Sequence, residues 1–267
     1  MKTNLPDYEK PPVIEVVCGI QFKALEGFRI PHFGLFWELF KAEFPTCQEV
    51  APLIPTFEHF GAEEVEPQVP MELPLPRVWF LNSDETGIVQ LQRDRFLRNW
   101  KKGKPTDEYP RYSVVIELFR RHLQSFQDFV AQQKLGRIEP TQYEMSYVNH
   151  IAEGEGWSTL ADLSKVFRDF SWNTDPRFLP SIEHLNLRKT FALPDHKGRM
   201  HVSIRDGNRR EDKKPVILFE FTVRGFPGIA TYDAMCMWFD LAHEWIVRGF
   251  ADLATEAIQK NVWLRKR

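Results

Sequence analysis

The sequence predicts an α+β protein built from two tandem β-α-β(3)-α repeats, with a curved antiparallel sheet packed on two long helices. A long helical pattern at residues 232–260 has an echo at residues 112–134, displaced by 120 residues. In each half, a strand pattern, a short helix pattern and several strand candidates precede the long helix in the same order. We therefore expect halves at residues 1–136 and 137–267 that form one compact unit. The aligned helical pairs are Tyr112 with Tyr232, Phe119 with Phe239, Phe126 with Ile246 and Val130 with Phe250.

The first half opens with a strand rich in Val and Ile, which follows Pro11 and Pro12. Aromatic residues at helical spacing then predict a helix that ends before Pro45, because proline lacks the backbone donor that a helix needs. Seven prolines between Pro45 and Pro76 disfavour regular structure in that stretch. The expected elements are a strand at 13–22, a helix at 33–44, an irregular segment at 50–76, a hairpin at 77–82 and 87–96, and a helix at 112–134 capped by Gly136.

The second half contains the strongest strand pattern of the chain, a run of Val, Ile, Leu and Phe at residues 216–224. Each half has too few crossovers for a parallel sheet, so we expect the helices on one face of an antiparallel sheet. This order is similar to that of TATA-binding-protein-like and helix-grip folds, a likeness of fold and not of function. The expected elements are strands at 142–151, 185–193, 199–205 and 216–224, helices at 160–170 and 232–260, and a basic tail at 261–267.

Size and composition exclude a disordered chain. Of 267 residues, 43 % are hydrophobic, and the 22 Phe and 8 Trp predict an aromatic-rich core. The net charge of −2 supplies no global attraction to nucleic acid or to an anionic membrane. Cys18, Cys47 and Cys236 lack disulfide or zinc spacing, and no signal-peptide pattern or long apolar run occurs. We expect a cytoplasmic protein with no membrane partner, no metal and no cofactor.

Asp240, His243 and Glu244 share one region of the second long helix, where spacings of three and four residues place side chains side by side. A carboxylate and an imidazole there could share a proton or a metal. The zinc-protease pattern fails, however, because Val247 occupies the place of its second histidine. The alternative is that Asp240 and His243 make structural hydrogen bonds where the two halves meet.

Glu144, Tyr147 and Asn149 lie on one predicted strand, with Glu144 on one face and Tyr147 and Asn149 on the other. Glu15 occupies the matching place in the first half. Two such carboxylates could flank a cleft as an acid/base pair. They could equally bind arginines of neighbouring strands; the candidates are Arg93, Arg95, Arg188 and Arg205.

A third candidate is the cationic segment at residues 92–104, where Arg93, Arg95, Asn99 and Trp100 suggest phosphate contacts and base stacking. Residues of this kind are also frequent on ordinary solvated surfaces. Weaker basic groups follow at residues 205–214 and 265–267. Besides those already named, the cations of the three segments are Arg98, Lys101, Lys102, Lys104, Arg209, Arg210, Lys213, Lys214, Arg265, Lys266 and Arg267.

Several segments together resemble a family of bacterial proteins of similar length that is sporadically distributed and of unknown function. The resemblance spans nearly the whole chain and brings no catalytic residues with it. A patchy distribution implies horizontal transfer, and by implication a mobile or defence-related locus. The segments are 8–17, 92–96, Asn99 with Trp100, 109–112, Glu144 with Tyr147 and Asn149, and Phe239 and Asp240 with His243.

No serine elbow, phosphate loop or dinucleotide-binding turn occurs in the sequence. We therefore expect a non-enzymatic cytosolic protein that binds a protein or peptide partner, with a homodimer also allowed. Two alternatives stay open. One is a nucleic-acid-binding or nucleic-acid-processing protein that uses the cationic segment, and the other is a hydrolase or metal enzyme that uses Glu144, Asp240 and His243.

Overall fold

The computed structural model describes residues 5–54, 58, 75–172, 176, 178–209, 211–226 and 228–266. Within these ranges the chain forms nine strands and four α-helices. The strands are β1 (Val13–Phe22), β2 (Thr46–Val50), β3 (Arg77–Leu81), β4 (Gly87–Gln92), β5 (Arg95–Lys101), β6 (Pro140–Ala152), β7 (Asn186–Ala192), β8 (Arg199–Asn208) and β9 (Pro215–Gly225). The helices are α1 (Ile30–Phe40), α2 (Tyr112–Gln132), α3 (Tyr232–Leu253) and α4 (Glu256–Asn261).

The nine described strands form one mixed-length antiparallel sheet in the order β2-β3-β4-β5-β1-β6-β9-β8-β7. The centre of the sheet is the pairing of β1 with β6, where Cys18 lies opposite Met145. Strand β5 flanks β1 on one side, and β9 flanks β6 on the other. Strands from the first half of the chain therefore lie on one side of this centre, and strands from the second half lie on the other.

The long helices α2 and α3 pack on one face of the sheet. Phe119 of α2 contacts Phe239 of α3 with ring centroids 5.0 Å apart, and Tyr143 of β6 lies 5.8 Å from Phe239. Because side chains alternate along a strand, the neighbours of such core residues point to the opposite face. We call this opposite face the polar sheet face; its polar residues include Gln21, Gln90, Gln92, Arg95, Asn99, Gln142, Glu144 and Arg224.

The expected first strand is confirmed with the same bounds, because its apolar positions fit a half-buried strand at the centre of a sheet. The hairpin of β3 and β4 also turns where expected, but the second strand expected at 87–96 is wrong in extent, because the chain turns after Gln92 and Arg95 begins the next strand. The expected helix at 33–44 begins earlier, at Ile30, and ends at Phe40, after which Phe44 still packs in the core. Most of the irregular segment expected at 50–76 lies outside the described residues.

Two strands of the first half escaped the sequence pattern. One is the edge strand β2, and the other is β5, which occupies most of the segment expected to be a cationic surface. Helix α2 ends at Gln132, and Lys134 with φ of 53° makes the first left-handed turn, ahead of the expected cap at Gly136. The helix therefore stops one turn before the glycine.

The helix expected at 160–170 is wrong in extent and type, since only a 3-10 helix forms at Leu160–Lys165. The chain leaves this helix to bond with the end of α3: Arg168 N donates to Leu253 O, and Thr255 N donates to Val166 O. The helix expected at 232–260 begins at Tyr232 as predicted and breaks at Ala254, where ψ is 147°. Thr255 then caps α4.

The expected basic tail is also wrong, because the segment packs on the core. Trp263 is 1 % exposed and packs against Phe250, with ring centroids 4.7 Å apart. Lys266 N donates to Asp7 O, so the segment also lies along the beginning of the described chain. None of the described helices combines the length and apolar character that a membrane crossing requires.

Candidate functional site

A pocket of about 360 Å³ opens between the start of α2, helix α3 and strand β6. A segment that precedes β1 forms its outer wall. The apolar part of the lining comes from residues such as Pro11, Val13, Ile246, Val247 and Phe250. We call it the tyrosine pocket, after the polar groups that distinguish it: Tyr109, Arg111, Tyr112, Tyr147, Asn149 and His243.

Two tyrosines meet at the base of the tyrosine pocket. The hydroxyl groups of Tyr109 and Tyr147 lie 2.7 Å apart, so one donates a hydrogen bond to the other. Burial is the main cause that raises the pKa of both phenols above the ordinary value. Tyr109 also packs against Trp100, with ring centroids 5.5 Å apart. Both phenols are therefore neutral at physiological pH and serve as hydrogen-bonding groups.

The third tyrosine joins the two long helices. The Tyr112 ring stacks on the His243 imidazole with a centroid distance of 3.9 Å and an angle of 6° between the planes. Its hydroxyl donates to Asp240 Oδ1 at 2.7 Å. Burial lowers the pKa of His243 to about 4, although the Asp240 charge acts in the opposite direction. His243 is therefore a neutral imidazole, and among the described residues its ring nitrogens have no hydrogen-bond partner.

Arg111 holds the outer wall in place. It is the residue before α2 and adopts φ of 75° and ψ of 156°, a conformation that costs a residue with a side chain about 1–3 kcal/mol. Its guanidinium donates to Asp7 Oδ1 and to Tyr8 O, each at 3.0 Å. Because Arg111 is paired in this way, it presents little unbalanced charge to the pocket. Tyr8 is anchored further by donating to Gln259 Oε1 at 2.9 Å.

Asn149 adds a buried amide to the lining. It is 2 % exposed, and its Nδ2 donates to Phe219 O at 2.8 Å. This bond fixes the amide, and the side-chain oxygen remains as an acceptor. With neutral tyrosines and a neutral histidine around it, the tyrosine pocket suits an uncharged, mainly apolar group that carries one or two hydrogen-bonding atoms.

The structure brings four residues singled out from the sequence to this place. Tyr147, Asn149 and His243 line the tyrosine pocket, and Asp240 reaches it through Tyr112. The sequence left open that Asp240 makes a structural hydrogen bond, and its bond from the Tyr112 hydroxyl agrees with that alternative. Glu244 instead accepts from Arg248 Nε on the same helix at 2.8 Å.

Glu144 does not belong to this group. Its strand neighbours Tyr143 and Met145 face the core, so Glu144 points to the polar sheet face, where Arg224 Nε donates to it. A site that combines Glu144 with Asp240 and His243 is therefore wrong, because the sheet separates them. The arginine-bound alternative for Glu144 is what the structure contains.

Glu15 and Glu144 do not form an acid/base pair. Glu15 pairs with Val148 across the central strands, whereas Glu144 pairs with Gly19. The backbones of the two residues are thus four positions apart along the strands, about 13 Å at the rise of an antiparallel strand. Glu15 Oε1 accepts from Asn99 Nδ2 at 2.6 Å.

Most of the cationic segment is buried, and its exposed cations are Lys101 and Lys104 at the end of the segment, with Lys102 half-buried. On β5, Arg95, Arg98, Asn99 and Trp100 are all 7 % exposed or less. Trp100 and Arg98 face the helices, while Arg95 and Asn99 lie on the polar sheet face. Arg93, in the turn before β5, donates to Leu25 O. Stacking of a base on Trp100 is therefore excluded in this arrangement.

The weaker basic groups do not gather into one free cationic surface: several are paired, and Lys213 and Lys266 are exposed without an ion pair among the described residues. Arg205 binds Glu220, and Arg209 binds Asp212 with two hydrogen bonds. Arg265 packs beside Gln259. Arg210 and Arg267 lie outside the described residues. No group of three or more His, Cys, Asp or Glu with the geometry of a metal site occurs in the described part of the chain.

Sequence reasoning missed Tyr109, Arg111 and Tyr112 as site residues. The stretch Tyr109-Pro110-Arg111-Tyr112 stands immediately before a predicted helix, and a cluster of two tyrosines and an arginine there is the signal that could have marked it. Their contacts in the site involve residues that are far apart in sequence, such as the bond of Tyr112 to Asp240. No family model, curated protein or solved structure matches the chain.

Proposed function

We propose that the chain is a non-enzymatic cytosolic binding protein, and that the tyrosine pocket receives an aromatic or aliphatic side chain of a protein or peptide partner. The observation that carries this proposal is an apolar cavity of about 360 Å³ whose tyrosine, asparagine and histidine side chains are neutral and already fixed, and whose two charged residues, Arg111 and Asp7, neutralise each other. Side chains that are held by existing bonds lose little freedom when a ligand arrives, which favours binding.

The chemistry of the polar groups supports binding over catalysis. A phenol whose pKa is raised is a poor nucleophile, and Tyr109 and Tyr147 bind each other. A carboxylate bonded to the imidazole would strengthen a histidine as a general base. Among the described residues, no carboxylate is bonded to the His243 ring, and burial lowers its pKa. Asn149 and His243 can instead bond to the backbone amide beside an inserted side chain.

The sheet order supports a duplicated architecture, which we include in the proposal. Reading outward from the centre, β1 is followed by β5, β4 and β3, and β6 is followed by β9, β8 and β7. Two halves at 1–136 and 137–267, each a β-α-β(3)-α repeat of the TATA-binding-protein-like or helix-grip kind, would produce this order. The tyrosine pocket would then lie where the two halves meet, in a protein of the sporadic bacterial family and of a mobile or defence-related locus.

The test is selection of binding peptides from a displayed random-peptide library on immobilised protein. We expect enriched peptides to share one aromatic or large aliphatic position and to bind in solution with an affinity measurable by calorimetry. Substitution of that position by alanine should weaken binding at least tenfold, which corresponds to about 1.4 kcal/mol.

Two variants on α3 locate the binding site. Val247→Phe places a larger side chain in the pocket lining and should weaken peptide binding at least tenfold. Met237→Phe makes a comparable change at a position that is 72 % exposed and outside the lining, and it should leave binding unchanged. Equal binding by the wild-type protein and Val247→Phe, or selected peptides with no shared apolar position, would refute the proposal.

A further inference from the structure

A row of polar side chains crosses the polar sheet face, on the side of the sheet away from the tyrosine pocket. Arg77 of β3 lies next to Gln92 of β4, which pairs with Arg95 of β5, and Arg95 pairs with Gln21 of β1. The two arginines are thus separated by one strand. At a strand spacing of about 4.8 Å, their backbones are about 10 Å apart.

Arg95 is a buried cation that has no carboxylate partner among the residues that the structure describes. It is 7 % exposed, and its Nη2 donates to Gln21 Oε1 at 2.6 Å, whereas its Nε is buried and has no hydrogen-bond partner. No carboxylate of the described residues lies within ion-pair distance of it. The nearest acidic groups that influence it are Asp94 and Glu144, and Glu144 is bound to Arg224.

Arg77 repeats the same pattern at the other end of the row. Its Nη1 donates to Gln90 Oε1 at 2.9 Å, and its guanidinium lies 5.5 Å from the centre of the Trp79 ring. Its Nε is also buried without a hydrogen-bond partner. Burial lowers the pKa of Arg77, and the charge of Arg95 lowers it further. The two cations therefore repel each other across Gln92.

Such an arrangement is costly unless an anion compensates it. Buried charges in proteins are paired, because removing an ion from water costs several kcal/mol. On the same polar sheet face, the pair of Arg224 with Glu144 follows this rule. The row between Arg77 and Arg95 departs from it, with two guanidinium groups and two donors that lack acceptors.

We propose that Arg77 and Arg95 form a binding site for an oxyanion, a carboxylate or a phosphate group. A guanidinium offers parallel N–H donors that match two oxygens of either group. An oxyanion between the arginines would accept from the two Nε atoms and remove the repulsion between the two charges. The site is separate from the tyrosine pocket, so a test of oxyanion binding is independent of the function proposed for the pocket.

The experiment measures thermal unfolding of the whole protein in phosphate, acetate and chloride at equal ionic strength and pH. Phosphate or acetate at a large excess over the dissociation constant should raise the Tm by about 5 °C relative to chloride. A response to phosphate only identifies a phosphate site, and a response to both identifies a general oxyanion site. Calorimetric titration with inorganic phosphate should give one site per chain.

Arg95→Gln should abolish the oxyanion-dependent rise. Arg77→Gln, at a half-buried position that tolerates change more easily, should reduce or abolish it and serves as the second variant. Arg188→Gln is the matched control, since Arg188 is an exposed arginine on a distant strand of the same sheet, and it should respond like the wild-type protein. Equal Tm in all three salts, or an undiminished response in both Arg95→Gln and Arg77→Gln, would overturn the proposal.

Discussion

Tyr112 and His243 stack face to face at 3.9 Å, so the first turn of α2 is joined directly to the middle of α3. The same tyrosine donates to Asp240, one turn earlier on α3. One side chain thus supplies both an aromatic contact and a hydrogen bond between helices that belong to different halves of the chain. It also fixes the ring of His243 beside the tyrosine pocket.

Tyr112→Phe tests the hydrogen bond while keeping the stacked ring. Loss of the bond to Asp240 should lower the free energy of unfolding by about 1 kcal/mol, since the acceptor is exposed to water. Urea unfolding followed by circular dichroism measures the change. Tyr232→Phe, at a 59 % exposed position of α3, is the control and should change stability by less than about 0.5 kcal/mol. A Tyr112→Phe protein as stable as the wild type would contradict the role of this bond.

Acid should destabilise the fold through two histidines, the buried His122 and the half-buried His243. Burial lowers the pKa of His122 to about 3 and that of His243 to about 4, from the ordinary 6.5. Between those values and 6.5 the unfolded chain binds more protons than the folded chain, so the full stabilising contribution exists above pH 6.5 and decreases as pH falls. From pH 7.5 to pH 5, each histidine should remove roughly 2 kcal/mol of stability.

The measurement is urea unfolding at pH 7.5, 6 and 5. Replacing His122 by Gln should flatten the dependence of the unfolding free energy on pH. His184→Gln is the control: Asp206 raises the pKa of His184, so this histidine contributes with the opposite sign and its removal cannot flatten an acid loss. Stability that is constant from pH 7.5 to pH 5 would rule out neutral burial of both imidazoles.

Phe36 is the position at which α1 should matter most. It is fully buried and contacts the rings of Phe80, Phe126 and Phe129. Phe36→Ala should cost about 3–5 kcal/mol, because the lost burial and the remaining cavity both destabilise. Leu39→Ala on the same helix, at a 59 % exposed position, should cost less than about 1 kcal/mol. Similar losses from the two variants in urea unfolding would mean that α1 does not pack as described.

Arg111 allows a test of backbone strain next to the pocket. Replacing it by Gly or by Ala removes the contacts to Asp7 and Tyr8 equally, but only glycine adopts φ of 75° with ψ of 156° at little cost. Arg111→Gly should therefore be about 1 kcal/mol more stable than Arg111→Ala in urea unfolding. At an unstrained position the glycine variant is ordinarily less stable than the alanine variant. An Arg111→Ala protein more stable than Arg111→Gly would therefore exclude the strained conformation.

The elements with strong periodicity were predictable, and those decided by distant contacts were not. The bounds of β1 follow from its own apolar pattern, and the starts of α2 and α3 follow from theirs. Strand β5 was missed because Arg95, Arg98 and Asn99 resemble a solvated segment, although all three are buried. A buried strand with polar residues on both faces has no apolar alternation, so its sequence pattern is the same as that of an exposed loop.

The candidate site shows the same division. Strand alternation correctly placed Glu144 on one face and Tyr147 with Asn149 on the other. The local pattern does not show which face of the sheet α2 and α3 cover, so it allows a grouping of Glu144 with His243, which lies on the opposite side of the sheet. The roles of Tyr109 and Tyr112 are visible only in the structure, where Tyr109 bonds to Tyr147 of β6 and Tyr112 bonds to Asp240 of α3.

The pairing of Cys18 with Met145 at the centre of the sheet has a consequence for how the chain folds during synthesis. Until β6 leaves the ribosome, one long edge of β1 has no strand to bond with, and unpaired edges recruit other chains. Closing the central pair must also bring together segments far apart in sequence, which slows folding. Nascent chains that end before β6 should therefore need chaperone protection, and completion of β6 should be the step that releases them.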